Sequence, residues 1–242
     1  MTARFFRREI PWDELTARTG LVPPPGIDPP EAQYNIAPTQ IAPIIRPAPD
    51  GEYTPRHSVQ IAPAVWGLVP VWWNKPLSEK KFTSFSARAE TIDVSRTFSG
   101  AFRQGRCLVP ASGFYVWRQA GGARSTPYAV TPRDGGWVCF AGLWSRWMYD
   151  GSEIDTFAIV TVEPNAVLTG LSSSMPAILE PAHYSRWLDV MDRDPLSLLT
   201  PLPSDRIEVK PAHPSVGNVR NQGPELPGDE PDEEPDEEEE AP

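Results

Sequence analysis

The chain has 242 residues, enough for one sizeable domain with its own hydrophobic core, and the length does not require a second domain. It carries 22 Lys and Arg against 32 Asp and Glu, a net charge of −10. No apolar stretch approaches the roughly 20 residues of a membrane span and the N-terminus has no signal-peptide apolar region, so we expect a cytoplasmic protein without a membrane partner.

The first predicted element is a short helix over residues 11–21. Trp12, Leu15 and Thr16 share one helical face, two acids lie in the first turn, and Gly20 provides a stop signal. The prolines between residues 23 and 30 then exclude regular structure, because each proline fixes φ and removes a backbone donor. A strand-like run follows and ends near Arg46, before a predicted surface loop.

Short β-type segments separated by Gly, Pro and Asp turns dominate the chain from residue 58 onward. The predicted strands are Val59–Leu68, Arg106–Trp117, Tyr128–Thr131, Trp137–Trp144 and Phe157–Val162. Helical patterns are fewer, namely Val94–Arg103, a short one from Asn165, and Pro181–Asp189. These elements predict an α+β fold with a mainly antiparallel sheet.

Acidic residues crowd the C-terminal end of the chain. Eleven of the 32 lie between Glu225 and Glu240, and no basic residue follows Arg220, so the rest of the chain has a net charge of +1. The end segment has almost no large apolar residues and cannot bury enough surface to offset the entropy cost of ordering. We therefore predict one domain over residues 1–220 and a disordered acidic tail over residues 221–242.

Residues that commonly hold metals or carry redox chemistry are sparse. Cys107 and Cys139 each lie in an apolar run without a nearby Cys or His, which favours buried structural roles. The three histidines, His57, His183 and His213, are far apart in the chain. The sequence predicts neither a metal site nor a cofactor.

Four motifs resemble those of the SRAP family, whose members handle abasic sites in single-stranded DNA. They are Arg106–Trp117 (RCLVPASGFYVW), Trp66–Pro70 (WGLVP), Ala87–Thr91 (ARAET) and Met175–Leu179 (MPAIL), and Asn218–Asn221 resembles the family's C-terminal Asn-rich segment. The resemblance implies a SRAP-like domain with a barrel-like, mainly antiparallel core and a few short flanking helices, and we expect a monomer.

The residues that perform the family's chemistry differ in this chain. Family members use an N-terminal Cys, freed of its Met, to capture the sugar aldehyde, and Thr2 occupies that position. Thr2 retains the α-amine if Met1 is removed, but its hydroxyl is a weaker nucleophile than a thiolate. The alternative is that Thr2 is an ordinary polar residue near the start of the chain.

Three further family positions are also replaced. The family's Asn falls on Ser86, its acid on Val116 and its His on Ser172, so an amide, a carboxyl and an imidazole are lost. The resemblance therefore implies that Thr2, Ser86, Val116 and Ser172 are degenerate catalytic positions. None of the three histidines lies in a family motif, so the sequence offers no evident replacement base.

The DNA-binding part of the family pattern is retained. Arg4 and Arg88 match arginines that contact the DNA backbone in the family, and Trp66 matches an aromatic residue that meets a base or sugar. Each has a structural alternative: Trp66 in an apolar strand can be a core residue, and Arg88 can be neutralised by Glu90 or another acid.

Three functions remain open from the sequence. The first is a pseudoenzyme of the DNA-damage response that binds single-stranded or abasic DNA. The second is a residual enzyme in which the Thr2 α-amine forms a Schiff base with the abasic site. The third is a regulatory protein whose acidic tail contacts a basic protein partner or competes for the DNA groove, although such charge runs are often only solvated. Peptidase activity, which the family's name implies, needs the replaced groups.

Overall fold

The computed structural model describes residues 3–48, 58–80, 84–118 and 125–228. The helices are α1 (Trp12–Thr19), α2 (Ser99–Gln104) and α3 (Tyr184–Leu188), and five short 3₁₀ turns accompany them. The strands are β1 (Phe5–Arg7), β2 (Gln33–Ile36), β3 (Ile41–Pro47), β4 (Val59–Trp66), β5 (Ser86–Arg88), β6 (Arg106–Ala111), β7 (Gly113–Arg118), β8 (Thr126–Pro132), β9 (Val138–Tyr149), β10 (Ser152–Val162), β11 (Met175–Pro176), β12 (Ile178–Leu179) and β13 (Ile207–Pro211). None of the helices in these ranges is long and apolar enough to cross a membrane.

Five strands close into a barrel in the order β3-β4-β10-β9-β6. The ring closes because β6 pairs back onto β3, with Ile45 opposite Leu108. All neighbours in the ring are antiparallel except β4 and β10, which run parallel. Closure leaves no unpaired sheet edge within the ring, and its interior is filled by fully buried side chains such as Phe140 and Phe157.

A second, five-stranded antiparallel sheet packs against the barrel in the order β13-β8-β7-β1-β2. Successive side chains of β1 point to opposite faces, as strand geometry requires. Phe5 meets Trp66 of the barrel edge-on, with ring centres 5.1 Å apart. Phe6 lies on the other face, 5.1 Å from Tyr115, in a smaller apolar cluster that also contains Val216 and Leu226.

The predicted α+β class with a mainly antiparallel, barrel-like core and few short helices is confirmed. The first predicted helix is α1, which ends at Gly20 in the left-handed conformation with φ of 71°. The helix predicted from Asn165 is wrong: hydrogen-bonded turns occupy residues 166–171. The helix predicted over 94–103 begins only at Ser99, after a series of turns, and residues 181–183 of the last predicted helix form a 3₁₀ turn before α3.

The predicted strand Arg106–Trp117 is wrong as a single element. Ser112 divides it into β6 of the barrel and β7 of the second sheet. At this break the Ser112 amide donates to the Phe6 carbonyl at 2.9 Å, and its Oγ accepts from the Arg8 amide at 3.0 Å. One almost continuous apolar run therefore contributes a strand to each of two sheets. The hydrophobic pattern of the run does not show where it divides.

The packed chain continues beyond the domain boundary predicted at residue 220. Leu226 is fully buried in the cluster around Phe6, and the Gln222 side chain is hydrogen bonded to the backbone of β2. Residues 221–228 therefore belong to the folded body. Residues 229–242, which hold most of the predicted acidic tail, lie outside the described residues.

Candidate functional site

A surface cavity of about 510 Å³ lies beside the start of β1. Its wall consists of Ala3, Arg4, Val116, Trp117, Ser125, Leu171, Ser172 and Gly217. The Arg4 carbonyl accepts a hydrogen bond from the Tyr115 amide at 3.0 Å, which fixes Arg4 beside β7. The segment between β10 and β11 supplies the opposite wall through Leu171 and Ser172.

The fold brings together three of the predicted site residues, although they are far apart in sequence. Arg4, Val116 and Ser172 all line the cavity. Thr2 lies outside the described residues and directly precedes Ala3, which is part of the wall. Ser86 is not among the lining residues; it begins β5, where its Oγ lies 3.3 Å from Thr161 Oγ1.

Arg4 is the only cation among the described residues of the wall. Its Nη1 donates to Asn35 Oδ1 at 3.2 Å and to the Val216 carbonyl at 3.1 Å, and its guanidinium lies 6.0 Å from the centre of the Trp117 ring. Burial lowers the pKa of Arg4, but a guanidinium still remains charged at neutral pH. Because no described carboxylate pairs with Arg4, its positive charge is not neutralised within the described residues and is available to an anionic ligand.

The described wall contains no group that exchanges protons near neutral pH. Val116 is buried and offers only an isopropyl group, and no described lining residue carries a carboxyl, an imidazole, a thiol or an amine. The Ser172 hydroxyl donates to the Ser174 carbonyl at 2.7 Å, so its proton is already engaged in a local turn. These residues can bind and exclude water, but they cannot supply general acid–base catalysis.

Trp66 fills the protein core. Its side chain is fully buried, its Nε1 donates to the Phe85 carbonyl at 2.8 Å, and its ring stacks on Phe157 with centres 6.2 Å apart. No face of this ring is available to a base. Trp66 is therefore a core residue, which is the structural alternative to a role in DNA binding.

An exposed tryptophan that sequence reasoning missed lies six residues later. Trp72 has 48% of its surface exposed, and the Arg96 guanidinium lies 4.7 Å from its ring centre. The sequence contains one sign of this exposure, the adjacent pair Trp72–Trp73 shortly after Pro70. Two large aromatic residues next to each other in a turn are not both expected to be buried.

Arg88 is exposed at the end of β5. Its side chain forms no hydrogen bond or ion pair with any residue in the described ranges, Glu90 included. The alternative in which Glu90 neutralises Arg88 is therefore not seen in the fold. The guanidinium is free to meet a phosphate.

The cysteines and the described histidines lie away from the cavity, and His57 lies outside the described residues. Cys107 and Cys139 are buried and unpaired, and desolvation raises the pKa of both thiols. His183 is exposed on a 3₁₀ turn, and His213 Nδ1 accepts from the Ser215 amide at 3.2 Å. Within the described ranges no cluster of three His, Cys, Asp or Glu side chains is arranged to hold a metal ion.

Comparison with known proteins assigns the chain to a family. The model of the SOS response associated peptidase (SRAP) family matches residues 1–219. The abasic site processing protein YoqW of Bacillus subtilis (strain 168) is 30% identical over 200 residues, covering 74% of this chain and 88% of that protein. YedK of Escherichia coli (strain K12), also an abasic site processing protein, is 28% identical over 172 residues, covering 69% and 74%. A crystal structure of a protein from Bacteroides thetaiotaomicron superposes with a TM-score of 0.73 at 24% identity, covering 87% and 93%. The chain therefore belongs to the SRAP family.

Proposed function

We propose that this protein binds abasic sites in single-stranded DNA as part of the DNA-damage response, and that it binds them without the acid–base catalysis that the family resemblance implies. YoqW and YedK are both named abasic site processing proteins. The observation that carries the proposal is the cavity wall, in which no described carboxylate pairs with the charged Arg4 and no described lining residue can exchange a proton near neutral pH. Such a wall can bind a DNA phosphate but lacks the groups needed to process the abasic site.

Two surface features support DNA binding outside the cavity. Arg88 presents an exposed guanidinium that pairs with none of the described residues, which suits a backbone phosphate. Trp72 presents a half-exposed ring, which suits stacking on an unpaired base. In this proposal Trp72 takes the stacking role that the resemblance gave to Trp66.

A residual reaction through Thr2 is the chemical alternative. Condensation of the Thr2 α-amine with the sugar aldehyde forms an imine and releases water, and Ala3, the next residue in the chain, lines the cavity. The steps need proton transfers that Val116 and Ser172 cannot supply. Any such adduct is therefore expected to form slowly and to reverse.

DNA binding at low salt tests the proposal directly. We expect a single-stranded oligonucleotide with one abasic site to bind in about 50 mM salt and to bind more weakly in about 200 mM, because each phosphate contact releases counterions. Arg88→Ala should weaken binding. The matched control is Arg186→Ala, because Arg186 is an exposed arginine already paired with Asp192 at 2.6 Å. A wild-type protein without measurable affinity in low salt contradicts the proposal.

A regulatory role for the acidic tail is a second proposal, favoured by the position of the last described residues next to the cavity wall. Leu226 is buried against Val216, whose carbonyl accepts from Arg4. Residues 229–242 contain 10 acidic groups. Fourteen residues span up to about 45 Å when extended, so the tail has the reach to compete with DNA for the cavity or to contact a basic protein.

Truncation after Gly228 tests the competing version of this role. The cut must spare Leu226, because that side chain is part of the folded body. We expect the truncated protein to bind single-stranded DNA more tightly than the full chain at low salt. Equal affinities would exclude competition and leave only a protein partner or solvation for the tail.

A further inference from the structure

We infer that Asn35 is a positioning residue for Arg4, and that the C-terminal segment 216–222 is thereby part of the DNA site. This inference rests on the proposed function, because it concerns how the cavity meets a phosphate. Asn35 lies on β2, and its side chain is completely buried. A buried amide must have hydrogen-bond partners for both its oxygen and its nitrogen.

The surroundings of Asn35 determine which way its amide points. Its Nδ2 faces three backbone carbonyls, those of Val216 at 3.1 Å, Asn218 at 2.9 Å and Asn221 at 3.2 Å. An oxygen in that position would meet only acceptors, so the amide cannot be reversed. The side-chain oxygen therefore faces Arg4 Nη1, 3.2 Å away.

Gln222 ties the backbone of Asn35 to the same segment. Its Oε1 accepts from the amides of Tyr34 at 3.0 Å and Asn35 at 3.1 Å, and its Nε2 donates to the Asn35 carbonyl at 3.0 Å. The Gln222 side chain thus takes the place of a neighbouring strand along the edge of β2. Asn35 is held through both its main chain and its side chain.

The consequence for Arg4 is a fixed charge that no carboxylate in the described ranges compensates. Both acceptors on Nη1, Asn35 Oδ1 and the Val216 carbonyl, are neutral. A carboxylate there would orient the guanidinium equally well but would cancel its attraction for a phosphate. Nε and Nη2 make no hydrogen bond with any residue in the described ranges, and so remain available to an anion.

A double-mutant cycle on the full chain tests this inference. The affinity for single-stranded oligothymidylate is measured by fluorescence anisotropy over a range of salt concentrations for the wild type, Arg4→Ala, Asn35→Ala and the double variant. We expect Arg4→Ala to weaken binding about tenfold at low salt and to reduce the salt slope by about 0.7, the value for one phosphate on a single strand. Asn35→Ala should reproduce most of both effects, and the double variant should add little to either.

Two further variants separate positioning from loss of stability. Trp187→Phe removes a buried hydrogen bond to the Cys107 carbonyl, 2.9 Å long, in a helix that contributes nothing to the cavity wall. We expect Trp187→Phe to lower the melting temperature and to retain the wild-type salt slope. If Asn35→Ala does not fold, Gln222→Ala loosens the same segment without deleting the amide, and it should lower the salt slope in the same direction.

The outcomes distinguish this inference from the proposed function. A folded wild type that does not bind DNA overturns both. If the wild type binds DNA, three results would each overturn the positioning role alone. They are an unchanged salt slope in the folded Asn35 or Gln222 variant, additive effects in the double variant, and full affinity of the Arg4→Ala variant.

Discussion

The Arg96 guanidinium lies over the exposed ring of Trp72, 4.7 Å from its centre, and the Trp72 Nε1 donates to the Arg96 carbonyl at 3.2 Å. Burial is favourable for a tryptophan side chain without such contacts. The two contacts with Arg96 hold the half-exposed ring of Trp72 at the surface. Because the ring is already held in place, it loses little further conformational freedom when a base stacks on it.

Replacing Trp72 is expected to affect DNA binding and to spare the fold. Trp72→Ala should weaken single-stranded DNA binding about tenfold, since stacking on an aromatic side chain is worth about 1–3 kcal/mol per base. The melting temperature should change little, because 48% of the side chain is already in water. Anisotropy titration and thermal unfolding of the same preparation measure the two effects.

The opposite result is expected for Trp66→Phe. This change deletes the hydrogen bond to the Phe85 carbonyl and leaves a void beside Phe157, so we expect a loss of about 1–3 kcal/mol in the free energy of unfolding. DNA affinity of the folded protein should remain that of the wild type. Reduced affinity with unchanged stability would return the stacking role to Trp66.

Thr39 is strained, and relieving the strain should stabilise the protein. It is an exposed, β-branched residue with φ of 76°, in the left-handed region that such residues avoid. Thr39→Gly removes a strain of about 1–2 kcal/mol and adds about 0.5–1 kcal/mol of unfolded-state entropy, so the net gain should be about 0.5–1 kcal/mol. The midpoint of urea unfolding measures it.

Asp150→Gly is the matched control for that gain. Asp150 also has a positive φ, of 48°, but aspartate tolerates this region better than a β-branched residue. We expect a smaller effect than at Thr39. A loss of stability in Thr39→Gly would show that the threonine side chain contributes more than the strain costs.

The two buried thiols should make stability fall in alkaline solution. Burial raises the pKa of Cys107 well above its usual value of 9.0 and that of Cys139 to about 12. Between these values the unfolded chain loses thiol protons that the folded chain retains. Each thiol therefore lowers the free energy of unfolding by about 1.4 kcal/mol per pH unit as the pH rises above 9, and contributes no such loss below it.

Urea unfolding at several pH values, compared with the Cys107→Ala, Cys139→Ala double variant, isolates this contribution from other titrating groups. Thiol labelling gives a second check, with no reaction in the folded protein near pH 8 and two thiols reacting in denaturant. Rapid labelling of the folded protein would show that the barrel interior opens readily.

The sequence predicted elements with strong local signals and missed those fixed by distant contacts. Helix α1 was identifiable because its apolar spacing ends at a glycine that adopts φ of 71°. The division at Ser112 was not, because β6 and β7 are both apolar and only their pairing partners distinguish them. Barrel closure depends on the pairing of Ile45 with Leu108, which no local pattern encodes.

The same limit applies to the site. Family motifs identified Arg4, Val116 and Ser172, which the fold brings to one cavity. They did not distinguish the buried Trp66 from the exposed Trp72, because burial depends on where a strand ends and not on residue type. The bond from Asn35 to the Val216 carbonyl joins residues 181 positions apart and was beyond any sequence pattern.

We propose that the cavity binds abasic DNA without forming a durable covalent link. The most direct measurement incubates wild type and Thr2→Cys with single-stranded DNA carrying one abasic site, with and without borohydride, and compares native and denaturing gels. We expect a wild-type complex on the native gel and no wild-type adduct on the denaturing gel without borohydride, whereas Thr2→Cys, with a thiol to close a ring on the imine, should form one. An adduct seen for the wild type only with borohydride would identify a reversible Thr2 imine. A wild-type adduct that survives denaturation without borohydride would show that the protein does form a durable covalent link.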